Sequence, residues 1–178
     1  TDTGDFVRDK DGNAAVICFA EVAAYAASEG ITVVTLLDRI YSEYGFYLER
    51  GESLTFDGAE GAAKIRKLVD SYAGNPPVEI AGAKVVSVLN YDTQDIHDSE
   101  GELIPKEAMI TFETEGGRKV TVRPSGTEPK IKYYLYASEK PVSGTFSAEE
   151  LATTKQRVAA GLENLWQWLK TDAASRAA

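Results

Sequence analysis

The chain has 178 residues, of which 43% are hydrophobic and 26% are charged, and its formal net charge is −9. These proportions are ordinary for a globular protein, and the length allows one large domain or two small ones. An acidic chain lacks the broad basic surface that general nucleic-acid binding or binding to an anionic membrane requires, so we expect no nucleic acid and no membrane as partner.

The chain contains one cysteine, Cys18, so it cannot form an internal disulfide. This fits a reducing cytoplasm, which is where we expect the protein to act. We interpret Cys18 as a small core residue, because it lies in an apolar run; the alternative, a catalytic thiol, would need a histidine, and the only one is the distant His97. No apolar run reaches the roughly 20 residues of a membrane-spanning helix.

Two helices are predicted at the start of the chain. The first runs from Asn13 to Ser28, with Asp11 as its N-cap and Gly30 just past its end, and it is apolar on most faces, which is typical of a buried helix. The second is predicted to begin after an N-cap at Thr35 and to stop at Gly45. The chain begins with Thr rather than Met, which we interpret as a piece of a longer protein; removal of a short leader is the alternative.

A domain boundary is predicted in the polar stretch Arg50-Gly51-Glu52-Ser53, because the hydrophobic periodicity starts again after it. A third helix is expected to begin at Asp57 and to end near Gly74. The predicted domains are therefore residues 1–50 and 54–172.

Strands follow in close succession, joined by short links, which predicts an antiparallel sheet of four strands flanked by helices. The strands are expected at 84–91, 109–114, 119–123 and 130–137. A last helix is predicted from Ser147 to about Lys170, with a capping box formed by Ser147 and Glu150, and the tail after Asp172 is expected to fray. The predicted fold class is α+β.

Two groups of residues have functional interpretations that we consider weaker than a structural one. The acidic loop around His97 could hold a metal ion, but its spacing matches no calcium loop and no second His or Cys supports zinc, so we interpret it as a solvated hairpin loop. An aromatic set could stack bases of single-stranded nucleic acid, but strand alternation divides it between two faces, so we expect core packing instead. The aromatic set is Tyr133, Tyr134, Tyr136, Trp166 and Trp168.

The most informative stretch links the last two predicted strands and reads Arg-Pro-Ser-Gly-Thr-Glu-Pro-Lys at 123–130. A glycine can adopt positive φ and lets the backbone approach a ligand, successive amides favour anions, and hydroxyls and cations add donors. These residues predict a site for a small anion such as phosphate, with Lys130 in support. The binding residues are predicted to be Arg123, Ser125, Gly126, Thr127 and Lys132.

Further cations, Arg118 and Lys119, are expected to crowd around the same loop, and a positive pocket on an acidic protein suits a small anion better than a polymer. An ordinary hairpin loop is the alternative, since Pro, Ser, Gly and Thr are common turn residues.

The whole string at 123–130 resembles the phosphate-binding loop in the last domain of the α-D-phosphohexomutases, the phosphoglucomutase and phosphomannomutase superfamily. The start of the chain resembles the segment that enters a helix of the third domain in these enzymes. There, a lysine of a Lys-Asp-Gly step faces the active cleft. The resemblance implies that Lys10 is catalytic, offsetting charge on the phosphoryl group in transit, and that Arg8 and Asp9 support it.

The resemblance extends over nearly the whole chain. It implies that residues 1–50 are the closing helices of a third, α/β domain and that 54–172 are the complete C-terminal domain, which binds the phosphate that is not reacting. The family's enzymes are isomerases that act as intramolecular phosphotransferases. They interconvert sugar 1-phosphate and 6-phosphate through a sugar bisphosphate, using a phosphoserine and Mg²⁺.

The serine loop and the metal loop of the family are absent from this sequence. The resemblance therefore implies that Mg²⁺ is bound by a missing domain, that this chain supplies no metal ligand, and that the fragment alone is inactive. Its expected partners are a sugar-phosphate substrate, a sugar bisphosphate activator and the remaining domains of the same polypeptide. Glucose, mannose and pentose phosphates all stay open as substrates. The alternative functions are a stand-alone anion-binding module and a structural interaction domain without catalysis.

Overall fold

A computed structural model of the chain describes residues 11–58 and 60–177. It forms two compact units, which are described separately. The first contains the described residues up to Gly45 together with Pro141–Leu151, and the second contains Phe46–Lys140 and the chain from Ala152 onward.

The first unit contains helices α1 (Gly12–Ser28) and α2 (Val33–Tyr44). The predicted ends of α1 are confirmed: Asp11 Oδ1 accepts the amide of Ala14 at 3.0 Å, and Gly30 has φ +69°. The predicted N-cap of α2 is wrong, because the side chain of Thr32 accepts the amide of Thr35 at 3.0 Å, which places Thr35 inside the first turn.

The prediction that α1 is buried is also wrong. Ala26 is its only buried residue, and Cys18 is exposed rather than in a core. The large apolar side chains exposed on α1 are Val16, Ile17, Phe19, Val22 and Tyr25. A helix that is apolar on most faces needs neighbours on most sides, and the described residues of this unit provide too few. Within the described residues, no single helix could cross a membrane; α1 and α2 reach that length and composition only together, across an 88° bend.

The second unit is built on an antiparallel sheet of six strands rather than four. The strands are β1 (Phe46–Thr55), β2 (Glu79–Ile80), β3 (Ala83–Asn90), β4 (Ile110–Thr114), β5 (Lys119–Pro124) and β6 (Lys130–Glu139). Their order across the sheet is β1-β6-β5-β4-β3-β2. The four predicted strands are all present, and β1 and β2 extend the sheet at its two edges. The α+β fold class is confirmed.

Two helices, α3 (Gly61–Gly74) and α4 (Ala148–Ala177), pack on one face of this sheet. The ring of Tyr72 in α3 lies 5.7 Å from that of Phe112 in β4, and Trp166 in α4 lies 5.6 Å from Tyr133 in β6. Alternate residues of β4, β5 and β6 are buried on this face, so the core lies between it and the helices. The core position predicted for the aromatic set is confirmed for Tyr133 and Trp166. It is wrong for Tyr134, Tyr136 and Trp168, which are only partly buried.

The opposite face of the sheet carries the other set of alternating residues, and in the described part of this unit neither helix covers it. We call it the open face. Its residues near the middle of the sheet include Ser53 of β1, Lys132 of β6, Arg123 and Thr121 of β5, and Thr111 of β4.

The polar stretch at 50–53, predicted to be a domain boundary, lies inside β1, which pairs with β6 over ten residues. Its charges are ion-paired: Arg50 Nε lies 2.5 Å from Glu52, and Arg50 Nη1 lies 2.6 Å from Glu163 of α4. Charged residues are typical of a strand at the edge of a sheet, where they discourage pairing with another chain. The polar composition therefore marks an edge strand, and the two units divide before Phe46 instead.

Of the two remaining predicted helix starts, the start of α3 is wrong and the capping box of α4 is confirmed. Helix α3 begins at Gly61 rather than Asp57, because a turn comes first: Gly58 has φ +86° and its carbonyl accepts the amide of Gly61 at 3.1 Å. The capping box of α4 is confirmed, with Ser147 N and Glu150 Oε2 2.8 Å apart and Glu150 N and Ser147 Oγ 3.2 Å apart.

The end of α4 does not fray, because Arg176 ties it to α3. The Arg176 guanidinium lies 4.7 Å from the ring centroid of Tyr72, and its Nε lies 2.7 Å from Asp172. Its Nη1 donates to Ser71 Oγ at 3.0 Å and to the carbonyl of Asn75 at 2.8 Å. The carbonyls at the end of α3 thus gain a charged donor.

We expect Arg176→Ala to lower the free energy of unfolding by about 1.5–3 kcal/mol, because it removes a largely buried, charge-assisted set of hydrogen bonds. Urea unfolding should show a lower midpoint with an unchanged slope. Arg157→Ala on the same helix is the matched control, because the pair of Arg157 with Glu139 is exposed and should contribute much less. Equal losses in the two variants would contradict this account of the helix end.

Candidate functional site

The loop between β5 and β6 has the predicted strand–loop–strand form and is held by three backbone hydrogen bonds. Ser125 donates to the carbonyl of Lys130 at 2.9 Å, and Lys130 donates to that of Glu128 at 2.7 Å. From outside the loop, the amide of Phe56 donates to the carbonyl of Pro129 at 2.9 Å. The loop is therefore closed at its base and fastened to the chain that follows β1.

The tip of the loop presents donors to solvent. Gly126 and Thr127 are exposed, and their amides donate no hydrogen bond to any described residue. The amide of Ser125 is occupied, so in this structure Ser125 can offer only its hydroxyl. Two successive unused amides with a neighbouring hydroxyl are donors suited to an oxyanion.

Gly126 does not use the positive φ that a glycine can adopt, because it is not among the glycines with positive φ. A Cβ added to Gly126 would meet nothing within 4 Å. The fold of the described chain therefore does not require glycine here, unlike at Gly116 and Gly117, which are left-handed in the hairpin between β4 and β5. What glycine leaves at this position is free space beside the backbone.

Three cations lie next to the loop on the open face. The strand register places Arg123 of β5 directly opposite Lys132 of β6, and Lys130 lies on the same face of β6 one pleat away. Arg118 and Lys119 do not join them, contrary to the prediction. Arg118 packs against α4, where its Nη2 lies 3.3 Å from the point that a Cβ on Gly161 would occupy. Lys119 is at the far end of β5, with its Nζ 3.6 Å from Glu113 Oε2.

Beside these cations, the open face forms a hollow of about 260 Å³. It is lined by Gly51, Glu52, Ser53, Lys130, Lys132 and Tyr134. Ser53 of β1 lies directly opposite Lys132 of β6 in the strand register. Ser53 and the two lysines therefore line the same hollow. Sequence analysis missed Ser53 because it assigned 50–53 to a boundary; the extended residues just before it were the only available signal.

Two carboxylates contact the cations. Glu107 Oε1 lies 2.9 Å from Arg123 Nη1, and Glu128 Oε2 lies 2.7 Å from Lys130 Nζ. The hydrogen bond from Lys130 lowers the pKa of the Glu128 carboxyl below its usual value, and the charges of Lys130 and Lys132 add to this effect. The Arg123 Nε atom is buried and has no hydrogen-bond partner among the described residues. A charged donor without a partner is unusual in a folded protein and is suited to a bound anion.

A second hollow of about 240 Å³ lies on the open face away from the loop. It is lined by Ser87, Leu89, Tyr91, Thr111, Glu113, Lys119, Thr121 and Tyr136. Lys119 and Glu113 in this hollow form an ion pair like those near the loop. Because this pair lies outside the candidate site, its variants can serve as a control for changes of charge.

The remaining predicted site residues, Arg8, Asp9 and Lys10, lie outside the residues that the structure describes. Over residues 11–58 and 60–177, no cluster of three or more His, Cys, Asp or Glu side chains is arranged to hold a metal ion. The acidic loop around His97 is a hairpin, with an antiparallel bridge between His97 and Leu103, and its carboxylates bond locally, as when Asp98 accepts the amides of Glu100 and Glu102.

Comparison with known proteins gives sequence matches to sugar-phosphate mutases. No protein-family model matches the chain. It is 36% identical over 136 residues to a protein of Staphylococcus haemolyticus named phosphoglucomutase, which covers 74% of this chain and 25% of that protein. It is 35% identical over 136 residues to a probable phosphomannomutase of Haemophilus influenzae, covering 76% and 26%. The chain thus spans about a quarter of the length of these relatives.

Among solved structures, the open form of parafusin, a phosphoglucomutase from Paramecium, matches 96% of this chain and 28% of its own. The sequence identity is 17% and the TM-score is 0.49, so nothing below rests on this likeness.

The loop position depends on Gly61, because a Cβ there would lie 1.9 Å from the carbonyl oxygen of Phe56, the residue that holds Pro129. We expect Gly61→Ala to push Phe56 away, to move the amide resonances of the loop and to lower the free energy of unfolding by about 1–3 kcal/mol. Gly74→Ala, in the same helix but with open space around its Cβ, is the control. Unchanged loop resonances in Gly61→Ala would refute this dependence.

Proposed function

Because the chain belongs to the phosphoglucomutase and phosphomannomutase superfamily and matches about a quarter of its relatives' length, we propose that it is the C-terminal part of a phosphohexomutase. The parent enzyme would interconvert sugar 1-phosphate and sugar 6-phosphate. Within it, this chain binds the phosphate that is not being transferred. The observation that carries the proposal is the meeting of Arg123, Lys132 and Lys130 on the open face, beside a loop with two unused amides.

The donors at the site match the chemistry of a phosphate dianion. An arginine can present two parallel N–H groups to phosphate oxygens, a lysine supplies a compact charge, and backbone amides and hydroxyls complete the shell. In our proposal Arg123 and Lys132 hold the phosphate, with the amides of Gly126 and Thr127 and the Ser125 hydroxyl as further donors. Lys130 and Ser53 border the hollow in which the ligand would lie.

In the proposed enzyme, such a site would contribute to catalysis although the phosphate it binds is not the one transferred. Binding energy from a phosphate that does not react can orient the sugar at its reacting end. Because the sugar must present first one end and then the other for transfer, the same site would bind the phosphate at C6 in one half-reaction and at C1 in the other. A site made only of phosphate donors is indifferent to which end carries the group.

The other catalytic parts of the parent enzyme belong outside the described residues in this proposal. Lys10 would lie in the cleft beside the phosphoryl group in transit, with Arg8 and Asp9 in support. Mg²⁺ does not fit the described residues, which form no suitable carboxylate cluster, so no step of the proposal uses a metal held by them. The chain up to Gly45 would complete a third domain, and the serine nucleophile would come from elsewhere in the polypeptide.

A titration of the ¹⁵N-labelled chain with glucose 1-phosphate and glucose 6-phosphate tests the phosphate site. We expect saturable shifts of the amides from Ser125 to Lys130, similar for both ligands and absent with glucose. Arg123→Ala should weaken binding by about 1.5–3 kcal/mol, because it removes a charge-assisted contact. Arg118→Ala is the charge-matched control, since Arg118 lies against α4. An affinity in Arg123→Ala equal to that of the wild type would contradict the assignment.

Gly126→Ala separates ligand binding from folding. The added methyl group meets no atom of the described chain, so we expect the midpoint of urea unfolding to stay within error of the wild type. If the phosphate approaches the backbone here, the same methyl group will crowd it and weaken glucose 6-phosphate binding at least about tenfold, roughly 1.4 kcal/mol. Wild-type affinity in this variant would show that the phosphate does not approach Gly126.

A further inference from the structure

Two cations at the candidate site are engaged by carboxylates of the chain itself. Arg123 is paired with Glu107 at 2.9 Å and Lys130 with Glu128 at 2.7 Å. Both carboxylates reach their cations from outside the strands that carry the site: Glu107 precedes β4 and Glu128 belongs to the loop. Both side chains are well exposed, at 46% for Glu107 and 56% for Glu128, so neither is locked in place by packing.

We propose that Glu107 and Glu128 are internal competitors for the phosphate. Each occupies a cation of the site in the absence of ligand, and each gives up its cation to a phosphate oxygen when the ligand binds. The inference rests on the proposed function, because it concerns the same site, and it identifies two residues that set the affinity of that site without binding the ligand.

Such carboxylates have a structural reason to be present. Arg123 and Lys132 are directly opposed on neighbouring strands, and like charges in that position repel each other. Lys130 adds a third positive charge one pleat away on the same face. Carboxylates beside these cations offset the repulsion while no anion is bound, which helps the chain to keep three cations in one small area.

The exchange of partners is energetically reasonable. Ion pairs between exposed side chains contribute little to stability, because water screens them and both side chains lose freedom. A phosphate dianion that contacts several donors at once forms more hydrogen bonds than one carboxylate can. The Arg123 Nε–H also has no hydrogen-bond partner among the described residues, so its pairing with Glu107 leaves one of its donors unused.

Protonation does not remove the competitor near neutral pH. Lys130 and Lys132 keep the pKa of Glu128 below its usual value, so the carboxylate stays charged wherever phosphate is a dianion. Glu128 must therefore leave Lys130 as an anion. The measured affinity for phosphate then reflects the free energy of the phosphate–Lys130 contact minus that of the carboxylate–Lys130 contact.

Charge-neutralised variants test the inference. Glu128→Gln and Glu107→Gln should each bind inorganic phosphate and glucose 6-phosphate about two- to fivefold more tightly than the wild type, in amide titrations at constant ionic strength and pH 7.5. Glu113→Gln is the matched control, because Glu113 pairs with Lys119 on the same face but beside the second hollow, and its affinity should not change. Tighter binding in all three variants would overturn the inference in favour of a general effect of net charge.

A second readout follows the carboxylate itself. The pKa of Glu128, measured by ¹³C NMR of its side chain, should rise when phosphate is saturating, because the carboxyl loses its hydrogen bond from Lys130 and lies near an anion. An unchanged pKa together with unchanged affinity in Glu128→Gln and Glu107→Gln would refute the competitor role alone, provided that Arg123→Ala still weakens phosphate binding. Absence of phosphate binding in the wild type and in the doubly substituted Glu107→Gln, Glu128→Gln chain would refute the proposed site and the inference together.

Discussion

The register of β6 against its two neighbours is the constraint on which the candidate site depends. It places Lys132 opposite Arg123 on one side and opposite Ser53 on the other, all on the open face. Because side chains alternate along a strand, a slip of β6 by one residue would turn Lys130 and Lys132 into the core and expose Tyr133 and Ile131. The core side chains therefore hold the register, and the register assembles the cations. No group of the site has to contribute to stability itself.

This division between the two faces of the sheet explains how the site can tolerate electrostatic cost. Helices α3 and α4 bury the apolar residues of the other face, and Arg176 fastens the end of α4 to α3. The open face then carries opposed cations and an Arg123 Nε atom that has no partner among the described residues, features that would destabilise a protein if they had to support its fold. Carboxylates from outside the strands reduce that cost.

Local patterns predicted well the elements whose causes are local. The Asp11 cap of α1, the capping box of α4 and the four predicted strands are all found where capping chemistry and side-chain alternation place them. The errors arose where a distant partner decides. The polar residues of β1 resemble a linker in sequence, but they pair with β6 and with Glu163. The alanine-rich end of α4 resembles a frayed tail in sequence, but Arg176 binds it to α3.

The sequence by itself determined the class of fold, the loop between β5 and β6, and the kind of ligand its residues suit, because a contiguous string carries the glycine, the hydroxyls and the cations. Only the tertiary structure decided which cations meet. Arg118 and Lys119 lie only a few residues from the loop in sequence, as Lys132 does, yet strand direction and pleat keep them away from it, while Ser53 and Glu107 come from distant positions in the chain. The physical reason is that side-chain chemistry is local, whereas strand pairing joins residues across the chain and decides which of them share a face.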